Sequence, residues 1–267
     1  MIAAGSLAYA QRFEGRGRGR RGGRNDYSGV RRPGPDSFNG TFTFCRLASR
    51  TAYDGDGGGW SVDYPRADEN LPIRLSELTR APVNFDDVGV PHYIVILATE
   101  PALFQCPFVM LTEPGSATLT HDDAASLRAY LRKGGFLWAD DFWGSYAWNH
   151  WLAEMRKVLP AGEYPLVDLP INHAMFHTLF DAKRIPQIPS INFYAGTRQT
   201  SERGHDSAEP HARAILDSSG RVMVLLTHNT DFGDAYEREG DDPEYFYKFS
   251  VEGYAIGIDV LLYAMTH

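Results

Sequence analysis

Hydrophobic and polar positions alternate in a way that predicts strands and helices in turn along most of the chain. Short apolar runs predict strands at residues 41–47, 93–97, 108–111, 136–139 and 222–227. Segments with apolar residues at every third or fourth position predict helices at residues 71–80, 122–133, 145–158 and 251–265. Alternation at these lengths indicates an α/β fold with a mostly parallel sheet that is covered by helices on both faces.

Residues 1–40 differ in composition from the rest and are expected to form a disordered tail in front of one α/β domain at residues 41–267. The tail is rich in Arg and Gly and has almost nothing to bury, so ordering it would cost conformational entropy without a compensating gain. Segments of this kind are usually solvated, and contact with RNA or an anionic lipid is the alternative.

The charge of the chain is unevenly distributed between these two parts. Residues 1–40 hold eight Arg and three acids, which leaves 18 basic and 31 acidic residues in the domain. An acidic domain is a poor partner for nucleic acid, because phosphate binding depends on Lys and Arg. No apolar run approaches the roughly 18 to 20 residues that span a bilayer. The expected partners are therefore a small molecule or another protein of the cell envelope.

The first ten residues predict export to the periplasm or cell envelope. Ala8, Tyr9 and Ala10 fit the small-x-small pattern of a signal-peptidase site at the end of an apolar stretch. The stretch is short and lacks a basic start, which suggests a signal trimmed at its beginning. A cytoplasmic chain with a mildly apolar N-terminus is the alternative.

The two cysteines, Cys45 and Cys106, predict neither a zinc knuckle nor a redox motif, because neither lies in a CxxC pair. Both lie among aromatic residues, so two buried free thiols are expected. A single disulfide is the alternative that the count allows.

Ligands of open α/β sheets bind at the carboxyl ends of the strands, and this rule selects the candidate residues. The candidates for catalysis are Asp140, Asp141 and His228. The candidates for ligand binding are Arg46, Asp63, Tyr64, Trp143 and Asn229. In an extended backbone Asp140 and Asp141 point to opposite sides, so one can face a cleft while the other caps the helix that begins near residue 145. Two simple helix caps are an equal alternative.

Asp231, Asp234 and Glu237 are spaced by three, so a helical turn places them on one side. Carboxylates in this arrangement suit a hard divalent cation, the one cofactor that the sequence suggests. The alternative is a solvated acidic helix start, which the helix dipole favours.

Several sequence strings, taken together, are similar to those of one bacterial family: Arg46-Leu47 with Tyr53, Trp60–Pro65, Gly134–Gly144, Asn172–His177, Asn229–Glu237 and Tyr263–His267. They resemble the family known as domain of unknown function 4159, over residues 41 to the end. That family is similar to the ThuA-like (trehalose-utilisation) proteins within the class I glutamine amidotransferase-like fold. The resemblance implies a flavodoxin-like three-layer sandwich and no known activity.

The resemblance also bears on chemistry, because true glutamine amidotransferases carry a cysteine in the tight turn after a central strand. Here that turn carries Asp140 and Asp141, so glutaminase activity is not expected.

Two functions stay open. The first is a ligand-binding or assembly domain with an exposed group of Trp residues, namely Trp143, Trp148 and Trp151; packing of these Trp residues in the core is the alternative. The second is a hydrolase or sugar-modifying enzyme in which Asp140 or Asp141 acts as general base and His228, Asp231 and Asp234 bind substrate or metal.

Overall fold

The computed structural model describes residue 27 and residues 29–267. Its main sheet is built from β1 (Phe44–Ala48), β3 (Tyr93–Leu97), β4 (Val109–Thr112), β6 (Leu137–Asp140), β7 (Leu166–Asp168), β8 (His211–Leu216) and β9 (Val222–His228). Two short strands, β2 (Arg50–Thr51) and β5 (Ala117–Thr118), form a separate antiparallel ribbon. The sequence-predicted strands are therefore confirmed, with ends that differ by a few residues.

The seven strands lie in the order β3-β1-β4-β6-β9-β8-β7. The first five are parallel to one another, whereas β8 pairs antiparallel with both β9 and β7. Numbered along the chain, the five parallel strands have the order 2-1-3-4-5, which is the flavodoxin-like arrangement. The predicted mostly parallel α/β sheet is confirmed, and the order places a topological switch point between β1 and β4.

Helices cover both faces of this sheet. They are α1 (Arg66–Leu78), α2 (His121–Arg132), α3 (Gly144–Val158), α4 (Ile191–Thr197), α5 (Phe232–Glu237), α6 (Pro243–Tyr245) and α7 (Val251–Thr266), with a π-helical turn at Phe246–Ser250. Apolar residues of α2 and α3 pack in one core cluster, and those of α1, α5 and α7 pack in the other. None of the helices in the described part of the chain is both long and apolar enough to cross a membrane.

The pleat of the strands decides which core each side chain joins. In β6, Ala139 belongs to the core of α2 and α3, whereas Trp138 belongs to the core of α1, α5 and α7. In β9 the same alternation places Leu226 in the first core and Leu225 in the second. Because successive side chains point to opposite faces, the polar residues that end these two strands are also divided between the two faces.

Residues 29–40, which the sequence assigns to the tail, contact the domain in the structure. The N–H of Val95 donates to the carbonyl of Arg31 at 2.8 Å, and Thr43 Oγ1 donates to the carbonyl of Ser37 at 2.6 Å. The apolar stretch at residues 2–10 and the Arg/Gly run at residues 16–24 lie outside the described residues.

The expectation of two free thiols is wrong, because Cys45 and Cys106 form a disulfide. Cys45 lies within β1, and Cys106 lies just before β4, the strand beside it. Their Cα atoms are 6.1 Å apart although 61 positions separate them in sequence. The aromatic surroundings showed correctly that both side chains are buried, but the pairing depends on β1 and β4 being neighbours.

Replacing both cysteines, as Cys45→Ala with Cys106→Ala, should lower the free energy of unfolding by about 2–4 kcal/mol, because the unfolded chain loses a long closed loop. Urea unfolding with and without a reductant measures this loss. Reduction should shift the midpoint of the wild type and leave that of the double variant unchanged. Equal midpoints for the reduced and oxidised wild type would contradict a stabilising role for the bond.

Candidate functional site

Carboxyl groups from four chain segments meet at the carboxyl edge of the sheet, beside the switch point. They come from the loop before α1, from the turns after β4 and β6, and from the start of α5 after β9. We call this group the carboxylate cluster: Asp63, Glu113, Asp140, Asp141, Asp231 and Asp234. All of these residues except Glu113 were predicted from the sequence to be site residues. The structure brings them together.

Three members of the carboxylate cluster are close enough to share one ligand. One carboxylate oxygen from each of Asp63, Asp231 and Asp234 lies within 4.8 Å of the other two. All three residues are nearly inaccessible to solvent, with 5%, 3% and 5% of their residue surface exposed. Asp63 Oδ2 is buried and has no hydrogen-bond partner. Buried polar atoms are nearly always satisfied in native proteins, so this oxygen calls for an explanation.

Asp231 and Asp234 are held in place by the first turn of α5. Asp231 is the N-cap, and its Oδ1 accepts the N–H of Asp234 at 2.7 Å. Asp234 Oδ2 accepts the N–H of Ile191 at 2.6 Å and the hydroxyl of Tyr245 at 3.1 Å. Since a carboxylate has about four lone-pair positions, both groups keep capacity to bind a further partner.

Gly233 makes room for Asp63 at the start of the same helix. A β-carbon at Gly233 would lie 2.2 Å from Asp63 Oδ2 and 2.8 Å from Asp63 Cγ. A β-carbon does not approach another unbonded atom this closely in proteins, so any larger residue would displace the Asp63 carboxylate. The absence of a side chain at Gly233 is therefore a condition for Asp63 to approach Asp231 and Asp234.

Glu113, which follows β4 and was not among the site residues predicted from the sequence, is held by a glycine loop. Its Oε2 accepts the N–H of Gly59 at 2.6 Å, and a β-carbon at Gly57 would lie 2.9 Å from the same oxygen. No function was predicted from the sequence for the loop at residues 54–59. Its run of glycines was the available signal, because backbone can approach a carboxylate only where side chains are missing.

Asp140 and Asp141 have different roles, as one of the two sequence alternatives expects. Asp140 Oδ2 accepts the N–H groups of Phe232 and Gly233 at 2.8 and 3.0 Å, and Thr227 donates to its Oδ1. Asp140 thus caps α5 and not the helix near residue 145. Asp141 Oδ1 accepts the indole N–H of Trp143 at 2.9 Å, and burial together with Glu113 and Asp63 raises the pKa of Asp141 well above its usual range.

The backbone is strained at the same edge of the sheet. Among the described residues, five residues other than glycine have a positive φ, and three of the five belong to the carboxylate cluster: Asp63 at 63°, Glu113 at 46° and Asp141 at 60°. A fourth, Asn229 at 62°, lies in the turn after β9. Left-handed backbone is uncommon outside glycine, although Asp and Asn tolerate it best, and it concentrates at functional sites.

Burial and mutual repulsion raise the pKa values throughout the carboxylate cluster. Burial, followed by the charges of Asp141, Asp63 and Asp234, raises the pKa of Asp231 well above its usual range. Burial raises the pKa of Glu113 to about 7 and that of Asp140 to about 7. The site therefore disfavours negative charge and favours either protons or a positive partner.

Arg46, predicted to bind ligand, forms a buried ion pair instead. Its guanidinium is inaccessible to solvent and contacts both carboxylate oxygens of Asp68 in α1. Nη1 donates to Thr112 Oγ1 at 2.7 Å and to the carbonyls of Trp60 and Val62 at 3.1 Å each. Arg46 thus fixes the loop that ends at Asp63, and its charge is largely matched by Asp68.

His228 does not meet the carboxylate cluster, contrary to its predicted role beside Asp140 or Asp141. Its ring lies on the other face of the sheet, among Phe142, Trp148 and His211. Nε2 contacts the carbonyl of Gly144 at 2.9 Å, and burial lowers the pKa of His228 to about 4. The pleat explains this placement, because Thr227 on the preceding position contacts Asp140 and His228 must point the other way.

The remaining predicted site residues have structural contacts. Asn229 Oδ1 accepts the N–H of Gly144 at 2.8 Å, and the Tyr64 hydroxyl accepts the N–H of Arg31 at 3.2 Å. Glu237 is outside the group of three close carboxylates and pairs with Arg238 at 2.9 Å. Of the Trp residues expected at the surface or in the core, Trp143 and Trp151 are buried and Trp148 is half-buried.

The chain matches one known protein family over most of its length. A profile of the family described as domain of unknown function (DUF4159) matches residues 44–265, which include nearly all of both cores and the whole carboxylate cluster. The chain belongs to the DUF4159 family. No curated protein matches the chain in sequence. The description of the family names no activity, so membership by itself assigns no function to the carboxylate cluster.

The domain should become less stable as pH rises from 5 to 8 in the absence of added cations. Glu113 and Asp140 have folded pKa values of about 7, above those of an unfolded chain, so the folded state keeps protons that the unfolded state has lost. The contribution of these protons to the free energy of unfolding is complete at low pH and is lost as pH rises towards 7. Each unit by which the folded pKa exceeds the unfolded pKa corresponds to about 1.4 kcal/mol. We expect the free energy of unfolding to fall by at least about 2 kcal/mol, as urea unfolding in EDTA measures.

Glu113→Gln removes one titrating group but keeps an oxygen for the N–H of Gly59, so its stability should fall less over this range. Glu163→Gln, at an exposed position, is the matched control and should follow the wild type. A stability that rises from pH 5 to 8 in all three proteins would contradict the raised pKa values.

Proposed function

We propose that this chain is an exported ligand-binding domain that takes a positively charged ligand at the carboxyl edge of its sheet. One observation carries the proposal: six carboxyl groups from four segments lie against one another, five of them on buried residues, and three of the six are on left-handed backbone. Both features reduce the free energy of unfolding. Destabilising features of this kind are found mainly at functional sites.

A positive ligand is the partner that would offset these costs. Buried charges in proteins are normally paired or coordinated, because an isolated ionised carboxylate is expensive to remove from water. The nearby cations do not supply this pairing in full, since Arg46 is bound to Asp68 and Arg238 is shared among Asp234, Glu237 and Asp241. The location agrees with the general rule that open α/β sheets bind ligands at this edge near a switch point.

The closer relationship to ThuA-like proteins, within the class I glutamine amidotransferase-like fold, belongs to the same proposal. It is supported by the 2-1-3-4-5 strand order and by the tight turn at Asp141 after a central strand. Glutaminase chemistry is not part of it, because a thioester requires a free thiolate and both cysteines of the chain are in the disulfide.

Export is supported by the disulfide in addition to the apolar stretch at residues 2–10. Disulfides form and persist in oxidising compartments such as the bacterial periplasm and are rare in the cytosol. Free thiols at Cys45 and Cys106 in protein from its native cells would contradict export. Association with another envelope protein stays a prediction.

A panel of cations tests the binding function. It contains a protonated diamine, an amino sugar and a guanidinium compound, each beside a neutral compound of similar size, and divalent metal salts beside a sodium salt at equal ionic strength. A ligand at 100 times its Kd stabilises the folded state by about 2.7 kcal/mol. That should raise the melting temperature by roughly 5–10 °C in a domain of this size. Asp231→Asn should lose the shift, whereas the exposed Asp87→Asn should keep it.

The proposed binding function is contradicted if no cation in the panel stabilises the wild type more than its control compound does. It is equally contradicted if Asp231→Asn responds as the wild type does, since the ligand would then bind elsewhere.

A hydrolase or sugar-modifying enzyme is the second candidate, and the placement of Asp141 favours it. Asp141 is on left-handed backbone in the turn where glutamine amidotransferases, the proposed relatives, carry their nucleophile, and the residue is 6% exposed. Asp140 does not fit the role of general base, because amide and hydroxyl donors already occupy its oxygens. A carboxyl group with a raised pKa is a suitable general base near neutral pH.

Assays with chromogenic aryl glycosides and aryl esters test this second candidate. If Asp141 is the base, Asp141→Asn should lower turnover by about 100-fold or more, because general-base catalysis contributes about that much. Asp87→Asn should keep the wild-type rate. Turnover that is unchanged in Asp141→Asn would exclude Asp141 from catalysis.

A further inference from the structure

We propose that Asp63, Asp231 and Asp234 together hold a single hard divalent cation. The inference deepens the proposed binding function, because it names the chemical class of the positive ligand and the three side chains that bind it. It differs from the sequence prediction in two respects: Asp63 joins the ligands from a distant segment, and Glu237 leaves them.

The distances between the three carboxylates fit one metal ion. Two ligand atoms on the same ion can be separated by at most twice the bond length, which is about 4.8 Å for oxygen bonds near 2.4 Å. The oxygens of Asp63, Asp231 and Asp234 lie within 4.8 Å of one another. The separations between the three oxygens therefore lie within the limit for ligands of one ion.

The unpartnered oxygen of Asp63 is a separate observation that points to a ligand. Asp63 Oδ2 is buried without a hydrogen bond and lies beside Gly233. Gly233 lies between Asp231 and Asp234 in the sequence. A buried acceptor without a partner costs about 1–3 kcal/mol, and more when it is charged. A bound cation satisfies this oxygen, whereas the protein supplies no donor to it.

The donor set decides which metals are suitable. All three ligands are carboxylate oxygens, which prefer hard cations such as Ca²⁺, Mg²⁺ and Mn²⁺. Zinc and copper favour imidazole and thiolate, and His228 lies on the opposite face of the sheet while both cysteines are in the disulfide. The arrangement therefore favours a hard cation.

The surrounding contacts hold the three ligands in position. Asp140 binds the N–H groups of Phe232 and Gly233, which fixes the turn between Asp231 and Asp234. Arg46 binds the carbonyls of Trp60 and Val62, which fixes the loop immediately before Asp63. Preorganised ligands of this kind lower the entropy that metal binding would otherwise cost.

Metal binding by the full chain tests the inference directly. Protein freed of metal with EDTA is dialysed separately against Mn²⁺, Ca²⁺ and Mg²⁺, and the bound ion is counted by elemental analysis. We expect about one ion per chain for at least one of these metals, with a higher melting temperature. Asp63→Asn and Gly233→Ala should each weaken binding by about tenfold or more, the first by removing a ligand and the second by displacing it.

Two controls separate loss of the site from loss of the fold. Asp87→Asn changes an exposed carboxylate, and Gly196→Ala adds a β-carbon that meets no atom within 4 Å in α4. Both should bind metal as the wild type does. Without metal, Asp63→Asn should melt at a higher temperature than the wild type, because Asn tolerates left-handed backbone and removes one repelling charge.

Less than about a tenth of an ion per chain with all three metals would overturn the inference, as would wild-type affinity in Asp63→Asn. If an organic cation still stabilises the wild type and not Asp231→Asn, the proposed binding function stands and only the metal is excluded. If neither metal nor organic cation binds, both proposals fail.

Discussion

The mutual repulsion of buried carboxyl groups is the constraint on which the rest of this structure depends. Asp63, Asp141, Asp231 and Asp234 lie where little water reaches them, so their charges are poorly screened and raise one another's pKa values. A fold can hold such a group only if protons, hydrogen bonds or a positive ligand compensate for it. The domain supplies hydrogen bonds to some members and leaves others without full compensation.

The distribution of hydrogen bonds divides the carboxylate cluster into two groups. Some members are fixed parts of the scaffold, and others keep oxygens that a ligand could bind. Asp140 is saturated by backbone amides and Thr227, and Glu113 is held by the glycine loop, so both act as fixed parts of the scaffold. Asp63 has a buried oxygen without a donor. The positive charge of Arg46 is close by but committed to Asp68, so it positions the loop before Asp63 without neutralising the cluster.

The flavodoxin-like strand order explains why this group forms at all. Parallel strands end at one edge of the sheet, and the turns after β4, β6 and β9 therefore deliver their polar residues to the same place. The pleat then selects among those residues, because Asp140 and Thr227 point to the face of α5 while His228 points to the face of α3. The disulfide between β1 and the segment before β4 ties together the two strands that flank the switch point.

The sequence by itself determined the alternation of strands and helices, because hydrophobic periodicity is a local property that each segment carries. It also located Asp141, Asp231 and Asp234, since polar residues that follow apolar strands need no knowledge of distant contacts. Only the tertiary structure decided that Asp63 joins them, that Glu113 is held by a glycine loop, that Cys45 pairs with Cys106 and that Arg46 and His228 serve elsewhere. Each of these depends on segments far apart in sequence or on the face to which a side chain points, and neither is encoded in a local pattern.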